Sequence, residues 1–233
     1  MESCRRRRHR LRVRTTLHLA YDHLTPLPES FDGGDRMPPA LVRRLVTEYT
    51  EHGDRILDPF AGFGTTLTVA ERLDRKAWGI EYDSDRAAYA HDRLANPARL
   101  HHGTAADIPD RIPTLDCVLT SPPYMHESDT RNPLRNYEGE SDYETYLCDL
   151  RDVFASLGSR VHRDGTFVVE VANLKHDGRT TTFAWDLART LRDLPDFRFA
   201  GEQVVSWENG DDAGDGVYGY GYDHSYVLVF ERA

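Results

Sequence analysis

Two hydrophobic rhythms take turns along this chain: short unbroken apolar runs, and apolar residues recurring every three or four positions. Leu41, Leu45, Val46 and Tyr49 repeat at helical spacing behind Pro38-Pro39, whose fixed φ and missing N–H suit a first helical turn, and Gly53 closes the segment. Arg55-Ile56-Leu57-Asp58 reads as a short strand, a glycine-containing loop follows, and a helix runs to about Leu73. Ala77-Trp78-Gly79-Ile80 is the next strand and ends at Glu81, with a helix carrying Ala87, Ala90 and Leu94 behind it. Leu115-Asp116-Cys117-Val118-Leu119 has the pattern of a buried strand. Residues 125–141 are polar and loop-like, Tyr143 to Leu157 and Phe183 to Leu194 read as helices, and Thr166 to Val171 as a strand. Val204 to Trp207 and Ser225 to Phe230 look like two closing strands. Strand, loop, helix, strand, helix is a βαβ series, which predicts an α/β fold built on a parallel sheet.

Length and charge refine this picture. At 233 residues the chain has room for one α/β domain, which the sequence places at residues 36–233 behind a basic arm and loop at 1–35. Arg5, Arg6, Arg7, Arg8, Arg10, Arg12 and Arg14 put seven cations in the first 14 residues, a phosphate-binding arm or a solvated tail. The whole chain is nevertheless net −10, which opposes approach to a polyanion. Lys76 and Lys175 are its only lysines and Asp outnumbers Glu, a bias that fits GC-rich coding or adaptation to high salt. No apolar run reaches membrane-spanning length, so a soluble cytoplasmic protein is expected. Cys4, Cys117 and Cys148 are far apart and form no C-x-x-C pair, so no metal site is expected.

The loop Pro59-Phe60-Ala61-Gly62-Phe63-Gly64-Thr65-Thr66 invites comparison with known cofactor loops. No lysine follows Gly64, which excludes a P-loop, and Leu67 stands where a dinucleotide fingerprint needs its third glycine. What remains is an acid, Asp58, at one strand end, Gly62 and Gly64 where backbone can approach a ligand closely, and a second acid, Glu81, at the next strand end. Asp58 can hold an ammonium group and Glu81 both hydroxyls of a ribose. A ligand with an amino acid, a ribose and no pyrophosphate fits S-adenosylmethionine. Asp107, expected at the end of a third strand, is a partner for an adenine amino group or, alternatively, a helix N-cap before Ile108-Pro109.

Thr120-Ser121-Pro122-Pro123-Tyr124 sits at the expected carboxyl end of the 115–119 strand, where open α/β sheets bind ligands. Two consecutive prolines make a rigid turn whose carbonyls remain available as acceptors. An amine held by Ser121 and the Pro122 carbonyl, its ring on Tyr124, would be placed as a nucleophile; a plain Ser-Pro-Pro loop cap is the competing reading. Weaker candidates are His126, Glu127 and Asp129, for a base or metal or as a solvated loop. Tyr218, Tyr220, Tyr222 and His224 are stacking residues or a surface loop, and Asp149 and Asp152 beside Arg151 read as a solvated helix face.

Asp58 to Thr66 and Thr120 to Tyr124, in that order, resemble the cofactor and catalytic motifs of nucleobase amino-methyltransferases, with Pro38-Pro39 and its helix similar to the segment over the cofactor's methionine end. The resemblance implies a Rossmann-like methyltransferase fold: a mostly parallel seven-stranded sheet, helices on both faces, and an antiparallel C-terminal strand. It implies S-adenosylmethionine as cofactor, with Asp58, Phe60, Gly62, Gly64, Thr65, Glu81 and Asp107 around it and Ser121, Pro122, Pro123 and Tyr124 at the reacting base. The Ser-Pro-Pro-Tyr form points to cytosine N4 in DNA, whereas Asp or Asn in the first position goes with adenine N6 or guanine N2. The same chemistry on structured ribosomal or transfer RNA is the nearest rival, followed by a small-molecule or protein methyltransferase and by a noncatalytic nucleic-acid-binding module. Phe63 departs from the family, which usually has a small residue there, and adds a ring near the cofactor. The 108 residues after Met125 are nearly all needed to complete the sheet, which leaves no separate target-recognition domain. The sequence leaves a homodimer open.

Overall fold

Successive residues on the central strands point to opposite sides of a sheet, and both sides are apolar. Ile56, Cys117, Leu119 and Val168 enter one buried cluster, while Leu57, Val118, Phe167 and Val169 enter the other. A sheet of that kind needs helices on both faces. The computed structural model describes residues 14–20, 27–29, 31, 36–208 and 221–233. Among them, α1 (Pro39–Tyr49), α2 (Thr65–Arg72) and α3 (Ser84–His91) cover the first face, and α4 (Tyr143–Gly158) and α5 (Phe183–Arg192) the second. The strands are β1 (Thr16–Leu19), β2 (Arg55–Asp58), β3 (Lys76–Glu81), β4 (Leu100–His102), β5 (Leu115–Thr120), β6 (Val161–Val171), β7 (Leu174–His176), β8 (Arg179–Thr181), β9 (Phe197–Trp207) and β10 (His224–Arg232).

The main sheet runs β1-β9-β10-β6-β5-β2-β3-β4, with β7 and β8 forming a separate hairpin. The strands from β4 to β6 are parallel, and β10 lies antiparallel between β6 and β9. The order reverses between β2 and β5, and the two sequence motifs leave the carboxyl ends of those two strands. This is the topological switch point at which ligands bind in open α/β sheets.

Three sequence expectations change. The main sheet has eight strands rather than seven, because Thr16–Leu19, placed by the sequence in the basic arm and loop, pairs parallel to β9 from Thr16↔Val204 to Leu19↔Trp207. Leu17 and Leu19 face the core and alternate with Thr16 and His18, but two apolar positions are too few to mark a strand in the sequence. The helix after Pro38-Pro39 does start with Pro39 and stops at Tyr49, with extended Thr50 as its cap; Gly53 instead makes the turn into β2 at φ +83°. The third expected strand ends at His102, five residues short of Asp107. Arg5, Arg6, Arg7, Arg8, Arg10 and Arg12, and likewise Tyr218 and Tyr220, lie outside the described residues.

Candidate active site

Asp58, the last residue of β2, has almost no water contact, at 2% exposed. Its Oδ1 accepts from the Thr120 hydroxyl at 2.6 Å and from the Phe60 N–H at 3.1 Å, and the Thr66 side chain also bonds to it. These donors favour the charged form, yet burial outweighs them and pushes the carboxyl up to about 6. The Thr120–Asp58 bond ties the strand that carries the proline turn to the strand that carries the glycine loop.

The glycine loop is fixed from the other side by Glu81 at the end of β3. One carboxylate oxygen accepts the Gly62 N–H at 2.6 Å and the other the Asp83 N–H at 2.9 Å. Burial raises the pKa of Glu81 despite both bonds. Gly64 precedes α2 in a left-handed conformation, φ +77°, and an added Cβ would lie 3.0 Å from the Ala90 Cβ. The backbone angle strains any larger residue here, and the tight approach to Ala90 adds to that strain. Phe63 turns its ring into a cluster of its own. Phe31 and Tyr89 meet it edge-on at centroid distances of 5.1 and 5.7 Å, and the Arg36 and Arg86 guanidinium groups stand 5.6 and 5.2 Å from its centre.

The proline turn is clamped by buried side chains. Tyr146, fully buried in α4, donates its hydroxyl to the Pro123 carbonyl at 2.6 Å. The Tyr124 hydroxyl donates to Glu170 of β6 at 3.1 Å, its ring meets Phe183 at 5.3 Å, and Ser121 Oγ lies 3.5 Å from the same hydroxyl. Glu170 is itself 1% exposed. The turn is therefore held on three sides with its Ser121 face open to the pocket.

Both motifs face one cavity of about 670 Å³, within the usual range of a small-molecule site. Asp58, Phe60, Gly62, Thr65, Glu81, Ser121, Pro122, Pro123 and Tyr124 all line it. Gly64 lies behind the lining as the cap of α2. Asp107 is not brought to the cavity. It is exposed, in a turn whose N–H donates to the Thr104 carbonyl, and neither a strand end nor a helix N-cap is formed there. Thr104 lines the cavity in its place. Glu170, which in the sequence is one more member of a strand, lines the cavity as well, as do Arg36, Arg86 and Tyr137, which no motif marks. Asp149 and Asp152, expected on a solvated helix face, line it too.

Residues 33–92 match the family model described as DNA methylase. Over that stretch the chain matches the DNA amino-methyltransferase family. The type II methyltransferase M2.DpnII of Streptococcus pneumoniae is 44% identical over 57 residues, which is 24% of this chain and 21% of that protein. The chain thus matches about a fifth of the length of this curated relative. Solved structures extend the likeness to the whole fold. TrmN from Thermus thermophilus superposes with TM-score 0.60 at 20% identity, over 84% of this chain and 49% of that one. Magnesium protoporphyrin IX methyltransferase from Synechocystis PCC 6803, solved with bound SAM, gives TM-score 0.51 at 15% identity over 83% and 76%. The fold is the Rossmann-like methyltransferase fold. S-adenosylmethionine, the cofactor of this family, fits the cavity chemically: a buried carboxylate and a second acid at adjacent strand ends suit a cationic amino-acid ligand with ribose hydroxyls, and the glycine loop exposes backbone beside them.

The weaker sequence candidates fall elsewhere. His126 to Asp129 form a self-bonded turn in which the Asp129 carboxylate accepts the His126 N–H at 2.7 Å and Thr181 accepts the Glu127 N–H at 2.9 Å. None of them lines the cavity, and no cluster of three or more His, Cys, Asp or Glu able to hold a metal occurs among the described residues. Tyr222 has the Lys175 ammonium 4.2 Å from its ring centre, and His224 packs between Tyr222 and Tyr226. No helix among the described residues is long and apolar enough to cross a membrane.

Proposed function

We propose that this chain methylates the exocyclic amine of a nucleobase, with N4 of cytosine in DNA as the substrate the Ser-Pro-Pro-Tyr form favours. The observation that carries the reading is the Thr120–Asp58 hydrogen bond, 2.6 Å, because it joins the cofactor loop and the proline turn at the wall of a single cavity. A methyltransferase for a small molecule needs the first motif and has no use for the second. Bound in the cavity, S-adenosylmethionine supplies an electrophilic methyl on its sulfonium. The residues of the chain do the rest. Asp58 offers a carboxylate to the cationic amino-acid end, and the lone pairs of Glu81 left over from Gly62 and Asp83 offer acceptors to the ribose.

Cytosine's amine is a poor nucleophile because its lone pair is delocalised into the ring. Ser121 Oγ and the Pro122 carbonyl accept hydrogen bonds from its two N–H groups, which favours a pyramidal nitrogen and aims its lone pair. The gain is one of orientation within a bound pair. With the cofactor bound, its methyl would pass to the nitrogen so aimed, S-adenosylhomocysteine would leave, and the methylated amine would give up one proton to solvent. Tyr124, fixed by Glu170 and Phe183, presents a ring for the base, and extruding that base from a duplex costs a few kcal/mol.

The deciding experiment incubates the purified protein with labelled S-adenosylmethionine and, separately, unmethylated genomic DNA and total RNA, then digests to nucleosides and identifies the product by mass. N4-methyldeoxycytidine is the expected result. N4-methylcytidine would move the substrate to RNA, and label in neither polymer would overturn the nucleobase reading.

A further inference from the structure

Residues 125–141 read as a polar loop in the sequence, but part of it is a braced turn. Asn132 is fully buried; its Nδ2 donates to Asp149 Oδ2 at 2.8 Å and its Oδ1 accepts the Leu134 N–H at 2.9 Å. Its carbonyl accepts from the N–H groups of Arg135 and Tyr137 at 3.1 and 3.0 Å. Arg135 completes the brace with a two-pronged bond to the Asp149 carboxylate at 2.7 and 2.9 Å. The brace ends in two consecutive non-glycine residues in the left-handed region, Asn136 at φ +55° and Tyr137 at φ +59°. Asparagine tolerates that conformation, but a bulky residue does so only when its surroundings impose it. What the brace imposes here is an aromatic ring that lines the cavity and is 57% exposed.

We propose that Tyr137 is a stacking platform for a nucleobase of the substrate strand, the one next to the target base. The proposal rests on the nucleobase reading of the cavity. Tyr124 belongs to the target itself, since it is half-buried with its hydroxyl on the buried Glu170 carboxylate. Tyr137 is the most exposed ring on the lining, ahead of Tyr82, which directly follows Glu81 and so belongs with the ribose acceptor, and Tyr137 is therefore the ring that meets the nucleotide remaining outside. The charge around it argues for stacking over phosphate binding, because Arg135 is already paired with Asp149 and the whole chain is net −10. Stacking uses the face that every base has, needs no net positive charge, and survives salt that screens ion pairs.

The test measures binding of a fluorescein-labelled, mixed-sequence single-stranded 16-mer, as DNA and as RNA, to the full chain by anisotropy, with S-adenosylmethionine affinity measured in parallel by calorimetry. Tyr137→Ala should weaken oligonucleotide binding about 5- to 150-fold, the contribution of one stacked base. Tyr137→Phe and Tyr137→Trp should bind within about threefold of the parent, a small change on the scale of a stacked base. The Tyr137→Ala ratio should be the same at 0.1 and 1 M KCl, and cofactor affinity should not move. Tyr137→Gly separates binding from folding: glycine relieves the left-handed backbone, so its melting temperature should hold or rise while oligonucleotide affinity falls. Parent-like binding by Tyr137→Ala, or equal losses in Tyr137→Phe and Tyr137→Ala, would overturn the platform while leaving the nucleobase reading intact. A parent protein that binds cofactor but neither oligonucleotide, and methylates neither polymer, would overturn both.

Discussion

Asp58 has exchanged water for three hydrogen-bond donors, and its carboxyl still sits near 6 rather than 3.8. The sign of the consequence follows from linkage. With the folded value raised, the unliganded protein holds an extra proton, so this group's contribution to stability is complete below about pH 4 and is lost as pH rises through about 6. A cationic ligand asks for the opposite state. Each pH unit below 6 adds about 1.4 kcal/mol to the cost of ionising the group, so S-adenosylmethionine affinity should fall about tenfold per unit there. Calorimetric titration between pH 5 and 7.5 checks this, and Asp58→Asn should bind weakly with a flat profile; a flat profile in the parent would remove Asp58 from the cofactor. The proline turn makes a separate prediction. Pro122→Ala and Tyr124→Ala should cut turnover by about 10²-fold or more, the scale on which misplacing a reactant by 1 Å acts, while cofactor affinity stays within about twofold. Parallel losses of turnover and cofactor affinity would mean that the two motifs do not divide the labour as described.

At the scale of elements, what could be read in the sequence was whatever repeats. The helices α1 to α5 carry apolar residues at helical spacing and the central strands carry unbroken apolar runs, and β2 begins and ends where the pattern puts it, at Arg55 and Asp58. Elements without an apolar run were invisible: β1 has its two leucines separated by His18, and β7 and β8 have three mostly polar residues each. The site divides along the same line. Residues inside contiguous motifs were legible, whereas Glu170, Thr104 and Tyr137 reach the cavity only because the topology brings separate segments to it. Asp107 was misplaced because an acid near a strand end looks correct until the strand's length is known. The braced turn shows how a polar loop conceals structure, since Asn132, Asp149 and Arg135 are individually unremarkable in sequence. Asn132→Ala removes a buried amide that bonds to Asp149 and to the Leu134 N–H. It should lower stability by about 1–3 kcal/mol, the cost of leaving buried partners unsatisfied. Denaturant titration measures that loss, and a variant as stable as the parent would show that the brace is unimportant to the folded state.

For the molecule as a whole, the proposed substrate sets a question of charge, since a chain of net −10 would have to approach a polyanion. Its charge is uneven along the sequence: seven arginines in the first 14 residues precede a strongly acidic remainder, so one short segment attracts phosphate and the rest repels it. Salt acts on the two in opposite directions. From 0.05 to 1 M KCl the screening length contracts from somewhat over 10 Å to about 3 Å, which relieves repulsion among the acids and should raise the melting temperature. A gain of about 1 kcal/mol would appear as about 2–4 °C in a chain of this length. The same salt competes with the arginines for phosphate, so log affinity for a single strand should fall against log salt by about 0.7 for each phosphate contacted. Replacing Arg5, Arg6, Arg7, Arg8, Arg10 and Arg12 with serine should flatten that slope by several contacts, while S-adenosylmethionine affinity and the Tyr137→Ala ratio remain unchanged. An unaltered slope would show that the arm does not touch nucleic acid, and stacking at the cavity mouth would then have to hold the strand without it.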